Sequence, residues 1–254
     1  MRGVLQLLCN DAMNMRFASL LLMQIGLSIF SATSCAEEPS YKFTTGWYST
    51  QGANQSYSHG VDLNLRRSIQ DSNTWMAWYQ SPEQGLKQPR LGWDSSLPIR
   101  NIRIQPSLQA ASGGFVGGSL SVETGESWFV GVGIGRTNLK PYTNLNFDPN
   151  DAWMAAGGWR WSEHHSLSMQ IVRDNRQNPD QQHVHLIYRA PINQYERLTL
   201  DVLEKSGLVQ DLYTRRYGLS VGYEVSHYFV RVAYDPITNF TPQTMWRLSF
   251  GTRF

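Results

Sequence analysis

The chain has little charge and, beyond its first 36 residues, neither cysteine nor a long apolar run. Charged residues make up 17% of the 254 residues and the formal net charge is +2, so electrostatics gives no reason to expect nucleic acid as a partner. The two cysteines are Cys9 and Cys35, and a chain that loses its leader holds no thiol. That excludes disulfides, zinc–thiolate sites and a cysteine nucleophile from the remaining domain.

The single long apolar run lies near the N-terminus and has the pattern of a secretory signal peptide. Arg16 supplies a positive start, and the segment from Phe17 to Phe30 forms an apolar core. Small residues then precede Glu37, where cleavage would leave a mature domain. We predict a signal peptide over residues 1–36, with Met15 as an alternative start, and a single domain over residues 37–254.

Two alternatives for this leader stay open. An uncleaved anchor helix is one, although its apolar core is short for a membrane span of about 20 residues. Lipidation of Cys35 is the other, because Ala32-Thr33-Ser34-Cys35 loosely resembles a lipobox.

From Tyr41 onward the sequence alternates apolar and polar residues with a period of two and shows no sustained helical period. Val61–Arg66 and Trp128–Ile134 are examples, and such alternation is typical of strands whose successive side chains leave on opposite faces. We predict a transmembrane antiparallel β-barrel of 12–14 strands, because aromatic content is 12% while mean hydropathy is only −0.39. The fourteen predicted strands span residues 41–50, 58–67, 73–80, 89–96, 101–110, 114–123, 127–137, 151–162, 165–174, 182–190, 196–204, 214–224, 227–235 and 244–254.

The predicted connections differ in length on the two sides. Four are tight: Glu123–Ser127, Ser162–His165, Ala190–Tyr195 and Glu224–His227. Those on the opposite side are longer and rich in Asn, Pro, Asp and Gln: Ser81–Gln88, Thr137–Asn150, Asp174–Gln181, Lys205–Tyr213 and Pro236–Gln243. Short periplasmic turns and longer external loops are typical of barrels in the Gram-negative outer membrane.

Aromatic residues favour the same location in the cell envelope. Trp, Tyr and Phe residues cluster near both predicted ends of the strands, as two interfacial girdles require. The last strand places apolar residues at alternate positions counted back from a terminal Phe, which resembles the signal that the barrel-assembly machinery recognises. The residues of this predicted assembly signal are Trp246, Leu248, Phe250 and Phe254.

If the apolar set faces lipid, the polar set lines the interior. The predicted lumen-lining residues are Asp62, Arg66, Asp94, Arg103, Arg160, Arg189, Asp201, Glu224, Arg231 and Arg247. Two interpretations stay open. Arginines could line a water-filled pore and favour anions such as acidic sugars, because the guanidinium binds carboxylate and phosphate in a fork. Alternatively, arginines and acids could pair and fill a small barrel that conducts little.

His183 and His185 lie two apart on one predicted inward face. Such a pair could bind a metal ion, or one histidine could act as a base. No nucleophile is singled out nearby, so we interpret both as polar residues of the wall. We expect no catalytic residue, no metal site and no cofactor.

The opening Phe43-Thr44-Thr45-Gly46-Trp47-Tyr48, the strand spacing and the terminal Phe254 resemble the YaiO-type outer-membrane barrel family over about residues 40–254. The resemblance implies a small outer-membrane barrel with no catalytic residues to carry over. Some members have helical repeats in front and suggest a role with envelope polysaccharide, but this chain has no room for such repeats.

Three functions follow, in order of preference. The first is a narrow, porin-like channel for small anionic or saccharide solutes, and the second is a structural or export-accessory barrel of an exopolysaccharide or envelope system. The third is a lipid-modifying outer-membrane enzyme. The expected partners are outer-membrane lipid and lipopolysaccharide, the barrel-assembly machinery and a small anionic or saccharide solute, with no nucleic acid.

Overall fold

The computed structural model describes residues 38–254, and in this part of the chain the period-two alternation of the sequence forms a succession of β-strands. The predicted signal peptide, its alternative start and the lipidation alternative at Cys35 lie outside the described residues. Among the described residues, no helix is long and apolar enough to cross a membrane.

Fifteen strands follow one another with two single-turn 3₁₀ helices, Ser112–Gly114 and Thr238–Phe240, between them. The strands are β1 (Ser40–Gln51), β2 (Tyr57–Ile69), β3 (Ser72–Ser81), β4 (Leu86–Ser95), β5 (Leu97–Ile99), β6 (Ile102–Ala111), β7 (Phe115–Gly125), β8 (Trp128–Thr137), β9 (Ala152–Ser162), β10 (His165–Asp174), β11 (Gln182–Pro191), β12 (Glu196–Val209), β13 (Leu212–Val225), β14 (Tyr228–Asp235) and β15 (Thr244–Arg253).

The sheet closes into a ring of fourteen antiparallel strands. At one junction β1 pairs with β15, with Tyr48 opposite Arg247. At the second junction, β4 pairs with β6 instead of with the three-residue β5, and Gly92 lies opposite Gln109. β5 pairs only with the start of β6 and stands outside the ring. The predicted antiparallel barrel is confirmed, at the upper limit of the predicted strand number.

The two faces of the sheet differ as the alternation requires. On β8, Val130, Val132 and Ile134 point outward and are exposed, whereas Phe129 points inward and is buried. The same outward apolar set recurs on β2 and on β15. Such a continuous apolar surface would be a liability in water, but it is the surface that a barrel presents to the hydrocarbon of a membrane.

The connections divide the barrel into a turn rim and a loop rim. The turn rim carries two-residue connections between β2 and β3, β7 and β8, β9 and β10, and β13 and β14. The loop rim carries the long connections, of which residues 138–151 are the longest. This division supports the predicted orientation, with the turn rim in the periplasm.

One predicted long loop is wrong. The stretch Lys205–Tyr213 is mostly strand, because β12 continues to Val209 and β13 begins at Leu212. Only Gln210 and Asp211 connect them, with φ of 51° and 66°. Two consecutive residues with positive φ match the twist of a tight hairpin, so the ladder extends further than the polar composition suggested.

Aromatic side chains surround the outer face near both rims. Near the turn rim, Trp159 packs against Trp128 and Trp161 with ring centroids 4.5 and 5.5 Å away.

The side chains of Trp246, Leu248, Phe250 and Phe254 are all exposed, and Phe254 stacks on Tyr41 with centroids 5.8 Å apart. Recognition of these four residues by the assembly machinery stays a prediction.

Candidate functional site

The connection between β8 and β9, residues 138–151, folds into the barrel, and we call it the inserted loop. The sequence predicted a long external loop at this place without predicting its inward course. Leu145 and Phe147 of the loop are buried in a cluster with side chains from five strands. The other members of that cluster are Tyr48, Tyr79, Leu203, Ala233 and Met245. Burial of the two apolar side chains therefore holds the loop inside the ring.

Hydrogen bonds attach the inserted loop to distant parts of the wall. The Gln88 side-chain amide on β4 donates to the carbonyl of Thr143 at 2.8 Å and accepts from its backbone N–H at 2.9 Å. The Arg247 guanidinium on β15 donates to the carbonyl of Leu145 at 3.2 Å and lies 4.8 Å from the ring centroid of Phe147. Asp148 contacts β11, so the loop reaches most of the way across the ring.

Three interior cavities border the inserted loop, with volumes of about 690, 500 and 330 Å³. The largest begins near the turn rim, at Lys42, and continues to Leu145 and Asn146 of the loop. The smallest lies on the loop-rim side, where Tyr142 and Phe240 line it. The loop therefore narrows a lumen that retains solvent-sized space on either side.

Positive charge dominates the wall of the largest cavity. Six cationic side chains line it against three carboxylates. The cations are Lys42, Arg66, Arg90, Arg189, Arg231 and Arg247, and the carboxylates are Asp62, Asp201 and Glu224.

Some of these cations are neutralised by a partner and others are not. Asp62 forms an ion pair with Arg90, and Arg66 lies 3.4 Å from Asp94. Within residues 38–254, no carboxylate lies within 4.0 Å of Lys42, Arg189, Arg231 or Arg247. Arg231 donates instead to the Ser220 hydroxyl at 2.6 Å. Four positive charges thus face the cavity without a counter-charge in direct contact.

The structure places eight of the ten predicted lumen-lining residues on the walls of the two larger cavities: Asp62, Arg66, Asp94, Arg189, Asp201, Glu224, Arg231 and Arg247. It separates Arg103 and Arg160 from this group. Both lie near the turn rim with Glu123, at 3.6 and 2.6 Å from its carboxylate. The sequence interpretation missed Arg90, although it shares the inward register of Asp94, four residues further along β4.

Near the loop rim, two histidines and an aspartate form a compact cluster. The Oδ1 atom of Asp148 lies 3.0 Å from Nδ1 of His183 and 2.8 Å from Nε2 of His185. On the other side of the His185 ring, Nδ1 lies 2.9 Å from the Asp201 carboxylate. Burial alone would raise the pKa of Asp148, but its hydrogen bonds with the two imidazoles hold that pKa well below the usual range. Asp148 is therefore anionic at neutral pH.

A buried ion pair lies beside this cluster. The Nζ atom of Lys205 on β12 lies 2.7 Å from Oδ1 of Asp235 on β14, and both side chains are almost fully buried. The ring of Phe240, from the connection between β14 and β15, lies 5.5 Å from Nζ. The pair thus joins two strands and the base of a loop-rim connection.

The closed ring, its apolar outer face with aromatic ends and its polar interior define a bacterial outer-membrane β-barrel of porin-like architecture. No protein-family model and no curated protein matches the chain. Membership of the YaiO-type family accordingly stays a prediction.

Solved outer-membrane proteins resemble the chain at low identity. For the Acinetobacter baumannii outer membrane protein Omp33 the identity is 10% and the TM-score 0.49, over 85% of this chain and 99% of that one. The NanC porin is 7% identical, with a TM-score of 0.44 over 84% of this chain and 98% of that one. The KdgM porin in complex with disordered oligogalacturonate is 10% identical, with a TM-score of 0.42 over 84% of this chain and 99% of that one. These likenesses are too distant to carry a functional assignment.

Proposed function

We propose that this barrel is a constricted outer-membrane channel that favours small anionic solutes, including acidic saccharides. The observation that carries the proposal is the set of four cations, Lys42, Arg189, Arg231 and Arg247, that face the largest of these cavities without a carboxylate partner among residues 38–254. Unpaired cations on a narrow, water-accessible wall raise the local concentration of anions and bind their carboxylates or phosphates.

The inserted loop supplies the second half of the proposal. By packing Leu145 and Phe147 inside the ring against β1, β3, β12, β14 and β15, it brings the passage close to Arg247, which contacts both loop residues. A solute that passes the loop must therefore come within reach of this guanidinium. The selectivity of the channel should depend on Arg247 and on Arg231, which lines the same two cavities.

Planar-bilayer recording of the refolded protein tests the proposal. We expect discrete conductance steps and a reversal potential, under a salt gradient, that indicates anion preference. The double variant Arg231→Gln/Arg247→Gln should reduce this preference, because it removes two of the four unpaired charges. The matched control is Arg100→Gln, since Arg100 is an exposed arginine in the connection between β5 and β6.

Two results would contradict the channel. Unchanged selectivity in the double variant would show that these arginines do not govern the passage. A complete lack of steps from correctly folded protein would favour the structural or export-accessory barrel instead. Correct folding is checked by migration on SDS gels, where a barrel runs faster unheated than boiled.

Two further partners belong to this proposal. Lipid and lipopolysaccharide would cover the apolar outer face, and the barrel-assembly machinery would recognise the exposed residues of β15. The enzyme alternative has little support, because neither His183 nor His185 hydrogen-bonds to a hydroxyl nucleophile in the described part of the chain.

A further inference from the structure

The cluster of Asp148, His183 and His185 has the composition and spacing of a metal site. His183 and His185 point to the same side of β11, and both are buried. One ligand atom from each of the three residues lies within 4.8 Å of the other two. Ligand atoms that bind Zn²⁺ at about 2.0–2.1 Å in a tetrahedron lie roughly 3.3 Å from one another. The three side chains would therefore need to move only slightly to coordinate an ion.

The surroundings orient the ligands as a metal site requires. The Asp201 carboxylate accepts a hydrogen bond from Nδ1 of His185, while Nε2 of the same ring donates to Asp148; a bound metal ion would displace the Nε2 proton and take that lone pair. A carboxylate behind a ligating histidine fixes its tautomer and makes it a stronger ligand. The ring of His183 is held by Phe240, which stacks on it with centroids 5.3 Å apart.

The potential ligand atoms already face one another. His183 is only 1% exposed, and its Nδ1 atom, rather than Nε2 on the far side of the ring, lies against Asp148 at 3.0 Å. A single oxygen of Asp148 meets both imidazoles. A divalent ion could bind this oxygen and both rings, with its remaining position open to water.

An ion can reach the cluster from either side of the inserted loop. Asp148 and His185 line the cavity of about 500 Å³, and His183 lines the cavity of about 330 Å³ on the loop-rim side. The nearby ammonium of Lys205 is already paired with Asp235 at 2.7 Å. Arg231 and Arg247 share the larger cavity but form no ion pair with Asp148 or Asp201 in residues 38–254.

We propose that Asp148, His183 and His185 form a binding site for one divalent transition-metal ion of the Zn²⁺ class, and that the ion fastens the inserted loop to β11. Two imidazoles and one carboxylate suit zinc and its neighbours among the transition metals better than calcium or magnesium, which prefer oxygen ligands alone. The proposal concerns binding alone and does not depend on conduction through the barrel.

Titration of ZnCl₂ into metal-stripped, untagged protein by isothermal calorimetry tests the site. We expect one Zn²⁺ per chain, with binding weakened at least tenfold in Asp148→Asn and in His185→Gln. Asp201→Asn, which leaves the three ligands in place, should weaken binding by about 10–100-fold. The matched controls are His59→Gln and His227→Gln, because both histidines are exposed and remote in sequence from the cluster.

A second measurement separates the site from surface binding. Co²⁺ in place of Zn²⁺ should give the visible absorption of a low-symmetry, nitrogen- and oxygen-ligated ion, and Asp148→Asn should abolish it. The proposal is overturned if folded wild-type protein binds no Zn²⁺. It is also overturned if the control substitutions weaken binding while Asp148→Asn and His185→Gln leave it unchanged.

Discussion

The interior near the loop rim and the interior near the turn rim contain the same kinds of charged residue but use them differently. Near the loop rim, Lys205 and Asp235 are 0% and 1% exposed, and the carbonyl of Ile237 and the ring of Phe240 lie against the ammonium. Near the turn rim, Arg103 is 49% exposed and Arg253 is 35% exposed, each beside a carboxylate. The difference is the packing near the loop rim, where the inserted loop and the connection between β14 and β15 fill the interior and exclude water, while water remains near the turn rim. A charge pair is structural in the first region and remains available to solutes in the second.

The largest effect should come from breaking the buried pair. In Lys205→Met the Asp235 carboxylate would remain buried without a partner, and such a loss costs about 3–5 kcal/mol. We expect the free energy of unfolding in lipid vesicles, measured by guanidinium titration, to fall by this amount. If the pair is structural, the double variant Lys205→Met/Asp235→Leu should regain most of the loss, because it leaves no uncompensated charge. A single variant as stable as the wild type would contradict the distinction between the two regions.

A smaller and more local effect should follow from loosening the inserted loop. Phe147→Ala removes a buried aromatic side chain from the cluster, at a cost of about 3 kcal/mol to the packing of the loop. Because the fourteen-stranded ring does not depend on this contact, we expect the heat-modifiable migration to persist. Single-channel conductance should rise as the loop leaves the lumen more often. Leu139→Ala is the comparison, since that side chain of the same loop is 45% exposed. Equal conductance in Phe147→Ala and the wild type would show that the loop does not narrow the passage.

The smallest effect should come from the pair at the turn rim. Arg103 lies 3.6 Å from Glu123, which keeps Arg160 as a second partner at 2.6 Å. Exposed pairs of this kind contribute about 0–1 kcal/mol, so Arg103→Gln should leave the guanidinium unfolding midpoint almost unchanged. A loss as large as that of Lys205→Met would mean that the turn rim is as tightly packed as the loop rim.

The strands were predictable because their pattern is local. Alternation in stretches such as Val61–Arg66 depends only on which face each residue occupies, and lipid on one side enforces it in every strand. Even the fourth predicted strand, residues 89–96, corresponds to β4 at Leu86–Ser95. The inward direction of Arg247 followed from the same register, since it alternates with Trp246 and Leu248.

The site was not predictable in the same way, because it depends on contacts between residues far apart in sequence. Asp148 meets His183 and His185 only because the loop turns inward, and no periodic pattern describes a loop. One clue was present. Leu139, Tyr142, Leu145 and Phe147 are large hydrophobic or aromatic residues in a connection that is rich in Asn and Asp, and apolar residues in a loop need a surface to cover them. The sequence interpretation treated the histidines as wall residues because it lacked this third partner.

The span of the inserted loop has a mechanical consequence. Its attachments at Gln88 on β4 and at His183 and His185 on β11 lie six strands apart one way round the ring and eight the other, so they are almost diametrically opposed. A ring of strands resists stretching along its hydrogen bonds but can be flattened into an ellipse by uneven lateral pressure from the surrounding lipid. A loop fixed at opposite walls acts as an internal strut against that flattening. The cross-section of the barrel should therefore stay rounder when membranes of different thickness or lipid packing press on it.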